Sequence, residues 1–494
     1  MITSRVRVDP AAIVAPVSPR MFGTLVEHMG RCVYEGIFDP GDANADASGI
    51  RLDVADLTRE LGVGPVRYPG GNFVSGYDWQ EGVGPDRTAR LDLAWHSIEP
   101  NTFGLHEFMD WTSRVGAEPM LAVNLGTRGV AEAVELVEYA NLPGGTRFAD
   151  MRRANGREEP FGVKLWCLGN EMDGPWQIGH RSADEYGSTA AQAAKAMKFA
   201  DPSIELVICG SSHDRMPTFG PWERTVLEHA YDDIDYISMH RYYEKRGDDR
   251  VGYLASALGM DSFIERVIAI CDEVAESQGS NKKIKLSFDE WNVEIRVQDP
   301  EHDWAVAPRL SEDVHSAEDA VVVGGLLISL LRHSDRVAVA CFAQLVNVMA
   351  LIRTEPGVAW RQPSYHPFAL ASRFAKGDVL RIEIEASEKI SSTTLGLIEP
   401  VDAVITRDPD DGSLTVFAIN RSVTDDVVLE VTVPVGLHVI QHLVVGGGDP
   451  DATNDAEHPD RVAPTHSSEH STHADQLRAT LPAASWSMIR LQAQ

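Results

Sequence analysis

Through the first three quarters of the chain, short apolar runs rich in β-branched residues alternate with longer stretches whose apolar positions recur every three or four residues. That is the pattern of parallel strands joined by amphipathic helices. Eight runs read as strands: residues 21–27 (MFGTLVE), 66–68 (VRY), 119–124 (PMLAVN), 164–168 (KLWCL), 205–209 (ELVIC), 236–239 (YISM), 283–288 (KIKLSF) and 337–342 (VAVACF). Residues 183–199 and 263–276 carry the helical spacing between them. Eight strands alternating with helices predict an α/β fold, a (β/α)8 TIM barrel; a doubly wound parallel sheet shares the pattern. After Gly377 the helical period stops and short alternating segments follow, among them VLRIEIEA, SLTVFAINRS, VVLEVTVPV and SWSMIRLQ. These predict a C-terminal β-sandwich over residues 377–494, beside a barrel over 18–376. SRVRV in the N-terminal segment 1–17 alternates too and is assigned to the same sandwich. Residues 446–472, rich in Gly, Asp, Pro, Ser and His, read as a mobile loop.

Composition narrows the function. Apolar residues make up 43% and charged residues 24% of 494, as expected of a folded globular chain. The formal net charge of −30 opposes binding to nucleic acid or anionic lipid, and no basic patch is apparent along the sequence. The start lacks a continuous apolar h-region, and the apolar run 320–331 is too short to span a bilayer, so a soluble, cytoplasmic protein with no membrane partner is expected. Five widely spaced cysteines form no C-x-x-C pair and are expected to be buried free thiols.

In a barrel, chemistry sits at the C-terminal ends of the strands. There the sequence places Glu27-His28, Arg67 followed by Tyr68-Pro69-Gly70-Gly71-Asn72, Asn124, Asn170-Glu171, His240 with Tyr242, Asp289-Glu290-Trp291-Asn292, and Gln344 with Asn347. Carboxylates, amides and aromatics with few lysines suit a polyhydroxylated neutral sugar. Glu171 and Glu290 each follow an apolar strand, each with an Asn close by. From strands four and seven they can converge on one bond, as glycoside hydrolysis by paired carboxylates requires. The pattern leaves open which is acid and which is nucleophile.

Five blocks in order, RYPGGNFVSGYDWQEGVGP (67–85), LAWHSIEPN (93–101), NLGTRG (124–129), WCLGNEMDGPWQIGH (166–180) and SFDEWNV (287–293), closely resemble the α-L-arabinofuranosidases of glycoside hydrolase family 51. The resemblance runs from about residue 22 to 357. It implies a retaining, exo-acting enzyme that releases terminal α-L-arabinofuranosyl groups from arabino-oligosaccharides or arabinoxylan fragments, without metal or organic cofactor. By resemblance Glu171 is the general acid/base and Glu290 the nucleophile, Asn170 holds the sugar 2-hydroxyl, Glu27 binds further hydroxyls, Tyr242 orients the nucleophile and Gln344 is the family's glutamine after strand eight. A homo-oligomer, a hexamer foremost, is implied as well.

Other positions carry two readings each. Arg67 either stabilises the charge of a neighbouring carboxylate such as Glu290 or forms a structural ion pair under the pocket. Asn72 either touches sugar or belongs to the Pro69-Gly70-Gly71 turn, and His240 either supports the catalytic pair or is a hydrogen-bonded core histidine. Trp95, Trp176 and Trp304 are stacking platforms or packing residues. Asp42, Asn44 and Asp46 have the opening spacing of an EF-hand, but Ala47 stands where Gly is needed and Asp53 where a bidentate Glu is needed. His458, His466, His470 and His473 read as a solvated tract. Glu294 after DEWNV and ALIRTEPG at 350–357 depart from the family pattern beside the pocket, which leaves aglycone preference open. The rivals are a β-xylosidase or β-glucosidase of the same fold, and a non-catalytic sugar-binding protein.

Overall fold

The computed structural model describes residues 2–295, 299 and 302–493. Eight parallel strands close into a barrel in chain order: Gly23–Leu25, Pro65–Tyr68, Glu118–Ala122, Leu165–Cys167, Glu205–Ile208, Tyr236–Tyr243, Lys285–Val293 and Val337–Phe342. The closed barrel, not the doubly wound sheet, is the outcome. Ala183–Ala200 and Ala257–Gln278 are helices, the second longer at both ends than its spacing predicts.

Strands six and seven outrun their apolar segments, because their polar continuations line the barrel mouth, where His240, Tyr242, Asp289 and Glu290 find partners. Along Tyr236–Tyr243 the two-residue period sets Ser238, His240 and Tyr242 on one face. In strand seven the register against strand six shifts between Ser287 and Glu290. That irregularity lets consecutive acids, Asp289 and Glu290, both reach the site, which strict alternation would forbid.

Below the mouth the interior is filled by Met120, Ala122, Leu165, Cys167, Val207, Val339 and Cys341, side chains two apart on their strands. The floor is closed at the strands' N-terminal ends by Arg20, bonded to Glu118 at 2.6 Å and Glu205 at 2.9 Å. All five cysteines are free and buried.

Ten of the remaining strands form one sheet, in which Ile2–Pro16 lies between Asp378–Ala386, antiparallel, and Val427–Thr432, parallel; six others pair in three two-stranded hairpins. Strands from both halves of the sheet, carrying Ile405, Val416 and Leu491 on one side and Leu429, Leu477 and Leu481 on the other, share one apolar core. The sheet therefore folds over itself into two layers. Helix Ala317–Arg332, buried on every side, joins barrel to sandwich; a Cβ on its Gly324 would lie 2.3 Å from Trp486 of the last strand.

The mobile loop expected at 446–472 is instead anchored. Pro450 and Ala452 accept the first amides of helix Ala317–Arg332, and buried Asn454 bonds Val462 and Arg361. Asp449 and Asp455 serve there as turn residues, each accepting backbone amides two or three residues on, a use that composition does not distinguish from disorder. Among the described residues no helix is long and apolar enough to cross a membrane.

Candidate active site

The second strand ends in Tyr68-Pro69-Gly70-Gly71, and the two glycines are demanded by close approach. Gly70 has φ +137°, and a Cβ there would lie 2.2 Å from Cγ of Glu27; a Cβ on Gly71 would lie 3.0 Å from Oε1 of Glu290. The turn and the wall of the site are thus one structure. It seats Asn72, whose Oδ1 accepts from Asn170 Nδ2 at 3.3 Å.

Strand four leaves the barrel through Gly169 (φ +95°) and Glu171 (φ +43°). A left-handed residue with a Cβ costs about 1–2 kcal/mol, and here it turns the carboxylate over the mouth. Glu171 Oε2 accepts from the Trp176 indole at 2.7 Å, and Oε1 lies 3.0 Å from His240 Nδ1. Glu290 is held at both oxygens: Arg67 Nη1 donates to Oε1 at 2.7 Å and the Tyr242 hydroxyl to Oε2 at 2.9 Å. Arg67 also donates to Asn170 Oδ1 at 2.7 Å, so one buried guanidinium fixes two candidate residues. An oxygen of Glu171, a ring nitrogen of His240 and an oxygen of Glu290 all lie within 4.8 Å of one another.

Glu27 forms the opposite wall. Its Oε1 accepts from the Phe73 amide and the Trp95 indole, each at 3.0 Å, and its Oε2 from Gln344 at 3.1 Å. Burial, reinforced by the charge of Glu290, nevertheless raises its pKa to about 7. His240 is raised too, but in its case toward the charged form. Burial opposes its charge, but Glu290, Asp289 and Glu171 outweigh burial and lift it to about 10, so the ring is an imidazolium at neutral pH. In that form it donates to Glu171 and, through Nε2 at 3.1 Å, to Asp289, which also accepts from Ser238 at 2.6 Å.

The structure thus brings together Glu171, Glu290, Glu27, Asn72, Asn170, Tyr242, Gln344, Arg67 and His240. Sequence reasoning did not single out Ser238 and Asp289, which clamp His240; the i, i+2 pattern Ser238-His240-Tyr242 was the available signal. His28, named only as a strand-end residue, is set 2.7 Å from Glu99 and 2.8 Å from the Tyr68 hydroxyl behind the pocket. Of the tryptophans, Trp95 and Trp176 bind candidate carboxylates, whereas Trp304 packs on His96.

Glu171, His240 and Glu290 have the donor types for a metal ion. Yet His240 holds its proton at neutral pH and Arg67 already contacts Glu290, so the chain itself supplies the positive charge there. Asp42 is occupied by Arg51 at 3.1 Å and by the Gly357 and Asn44 amides at 2.7 Å, and Asp46 by Ser48 and Arg114, as braces of a loop. His458 pairs with Asp455 and His470 tilts against His442, away from the barrel mouth.

Two family models match the chain, the α-L-arabinofuranosidase 1 domain over residues 57–250 and the α-L-arabinofuranosidase C-terminal domain over 289–485. An intracellular exo-α-(1→5)-L-arabinofuranosidase of Streptomyces lividans is 52% identical over 99% of this chain and 75% of its own length. An exo-α-(1→6)-L-arabinofuranosidase of Bifidobacterium longum is 47% identical over 99% of this chain and 97% of its own. Among solved structures, a family 51 α-L-arabinofuranosidase from Bifidobacterium longum superposes with a TM-score of 0.96 at 43% identity, covering both chains fully. The chain belongs to the α-L-arabinofuranosidases of glycoside hydrolase family 51.

Proposed function

We propose that this glycosidase removes terminal α-L-arabinofuranosyl groups from arabino-oligosaccharides and arabinoxylan fragments by double displacement, with Glu290 as nucleophile and Glu171 as acid/base. The observation that carries this reading is that the two carboxylates face each other across His240, with an oxygen of one within 4.8 Å of an oxygen of the other. It belongs with the roughly 5–5.5 Å separation of retaining enzymes, not with the roughly 6.5–9.5 Å that an inverting pair needs to admit water.

In the first half-reaction an oxygen of Glu290 bonds to the anomeric carbon as the bond to the leaving oxygen breaks, and the Glu171 proton passes to that oxygen. In the second, Glu171 takes a proton from water, whose oxygen displaces Glu290. The asymmetric settings support the assignment. Glu290 is clamped at both oxygens by Arg67 and Tyr242, as suits a nucleophile aimed along one line. Glu171 sits beside an exposed indole at the rim, where a leaving group departs. Asn170 is placed for the 2-hydroxyl, and Glu27, Gln344 and Asn72 for the remaining sugar hydroxyls. Arg67 and His240 hold these groups in position.

The relatives' names differ in linkage, (1→5) in one and (1→6) in another, so the linkage is not carried over. Relatives named intracellular support a cytoplasmic location acting on imported oligosaccharides. A homo-oligomer, a hexamer foremost, is part of the proposal; a monomer in light scattering at assay concentration would refute it. The principal test is NMR of the first-formed product. α-Arabinofuranose appearing first supports retention, and β-arabinofuranose appearing first would overturn it. A panel of nitrophenyl glycosides separates arabinofuranosidase from β-xylosidase or β-glucosidase activity, and absence of turnover on all of them would leave only sugar binding.

A further inference from the structure

We propose that, one sugar unit beyond the cleaved bond, the barrel mouth carries a subsite for a leaving group bearing a carboxylate, a uronate sugar, formed by Arg215, Arg241 and Arg246. The inference rests on Glu171 being the acid/base, because that fixes the side on which the leaving group departs.

From Glu171 the wall runs outward through Trp176, whose ring stacks on His213 with centroids 6.4 Å apart and planes 16° from parallel. Asp214 and Arg215 follow His213 directly. Tyr242, bonded to Glu290, is also part of an adjoining cleft of about 250 Å³, in which the three arginines stand. Its outer side is made by Thr394 and Leu395, from the hairpin of Ile390–Ser392 and Gly396–Ile398. A sugar attached to one in the catalytic pocket would extend toward this cleft.

Glu244 and Asp249 are the acids lining the cleft, and Asp214 stands beside it against Arg241. Asp214 contacts Arg241 and lies 3.6 Å from Arg266; Asp249 accepts from Gly252, Ser392 and Thr394. Among the described residues, neither Arg215 nor Arg246 makes a side-chain ion pair. Burial foremost, then the neighbouring Arg241 and Arg246, lower the pKa of Arg215 against the opposing pull of Glu244 and Asp214. Arg241 and Arg246 lie five residues apart, and the fold brings Arg215 beside them in a chain of net charge −30.

Glu27, Glu171, Asp289 and Glu290 would repel an anionic leaving group. Guanidinium forks offset that repulsion and match the planar carboxylate.

The test compares two arabinofuranosyl disaccharides of one linkage, with galacturonate or its methyl ester as the leaving sugar. The readout is their ratio of kcat/KM, in which general losses of folding or catalysis cancel. We expect the free acid to be favoured about tenfold at low salt, the preference to shrink at high ionic strength, and Arg215→Ala/Arg246→Ala to bring the ratio near one, with partial return in Arg215→Lys/Arg246→Lys. A ratio at or below one, or one untouched by the alanine pair, overturns the subsite. A larger gain from a phosphate-bearing leaving sugar overturns its assignment to carboxylate. Turnover of nitrophenyl α-L-arabinofuranoside that depends on Glu171 and Glu290 tests the underlying reading separately. If it holds while the ratio is one, only the subsite fails.

Discussion

His240 is where the two glutamates and Asp289 meet, and its imidazolium offsets part of their mutual repulsion. Replacing it by Asn removes a cation from among three acids, so the acid limb of the kcat/KM profile should move to higher pH. An unmoved limb would reduce His240 to packing. The glutamates themselves separate by leaving group. Glu171→Ala should cost about 10²–10⁴-fold on natural glycosides but far less on nitrophenyl substrates, which depart without protonation. Glu290→Ala should cost on the order of 10⁴-fold or more on both. With added azide, the Glu171 variant should yield the azide of the substrate's own anomeric configuration, by interception of the covalent intermediate. The Glu290 variant should yield the opposite anomer if any; product analysis by NMR distinguishes the two, and the reverse pattern would exchange the roles.

Helix Ala317–Arg332 locks barrel to sandwich through a side chain that is absent: Gly324 leaves the space that Trp486 fills. Gly324→Ala should destabilise the protein by about 1–3 kcal/mol through overpacking. Because the clash has one partner, the cost in a Trp486→Leu background should be smaller than in the parent, which a double-mutant cycle by denaturant titration would measure. The same contact shows what a linear reading can reach. The apolar runs marked all eight barrel strands, because a strand buried on both faces must be apolar along its length. They stopped short at Met239 and Phe288, because His240, Tyr242, Asp289 and Glu290 break the pattern in order to work. Polar partners distant in sequence, such as Arg67 with Asn170 or Glu27 with Gln344, could be named as strand-end residues but not paired, since pairing depends on barrel closure. The anchored segment at 446–472 was hidden for a similar reason: its partners are the amides of a helix more than a hundred residues away.

For the molecule as a whole, the buried titratable groups set a pH window. His240, raised from 6.5 to about 10, contributes stability that is complete below 6.5 and lost as pH climbs through 10; Glu27, raised from 4.5 to about 7, contributes stability complete below 4.5 and lost through 7. Asp289 and Asp402, held below 3.8 against burial by Arg67 and by Arg421, contribute in the opposite sense and lose their share in acid. With a net charge of −30 adding self-repulsion as pH rises, unfolding free energy should peak in the weakly acidic range and fall steadily toward pH 10. Denaturation across pH checks this, and a maximum above pH 8 would contradict it. The strand Ile2–Pro16, lying between Asp378–Ala386 and Val427–Thr432, carries a further consequence. During synthesis this strand leaves the ribosome before the barrel and meets both neighbours only after the whole barrel has emerged, so its unpaired edges stay open to other nascent chains on the same message. Stalled chains ending before residue 378 should therefore be cut by protease within residues 2–16 while the barrel segment resists, and protection of that strand should arrive only once residue 432 has cleared the exit tunnel.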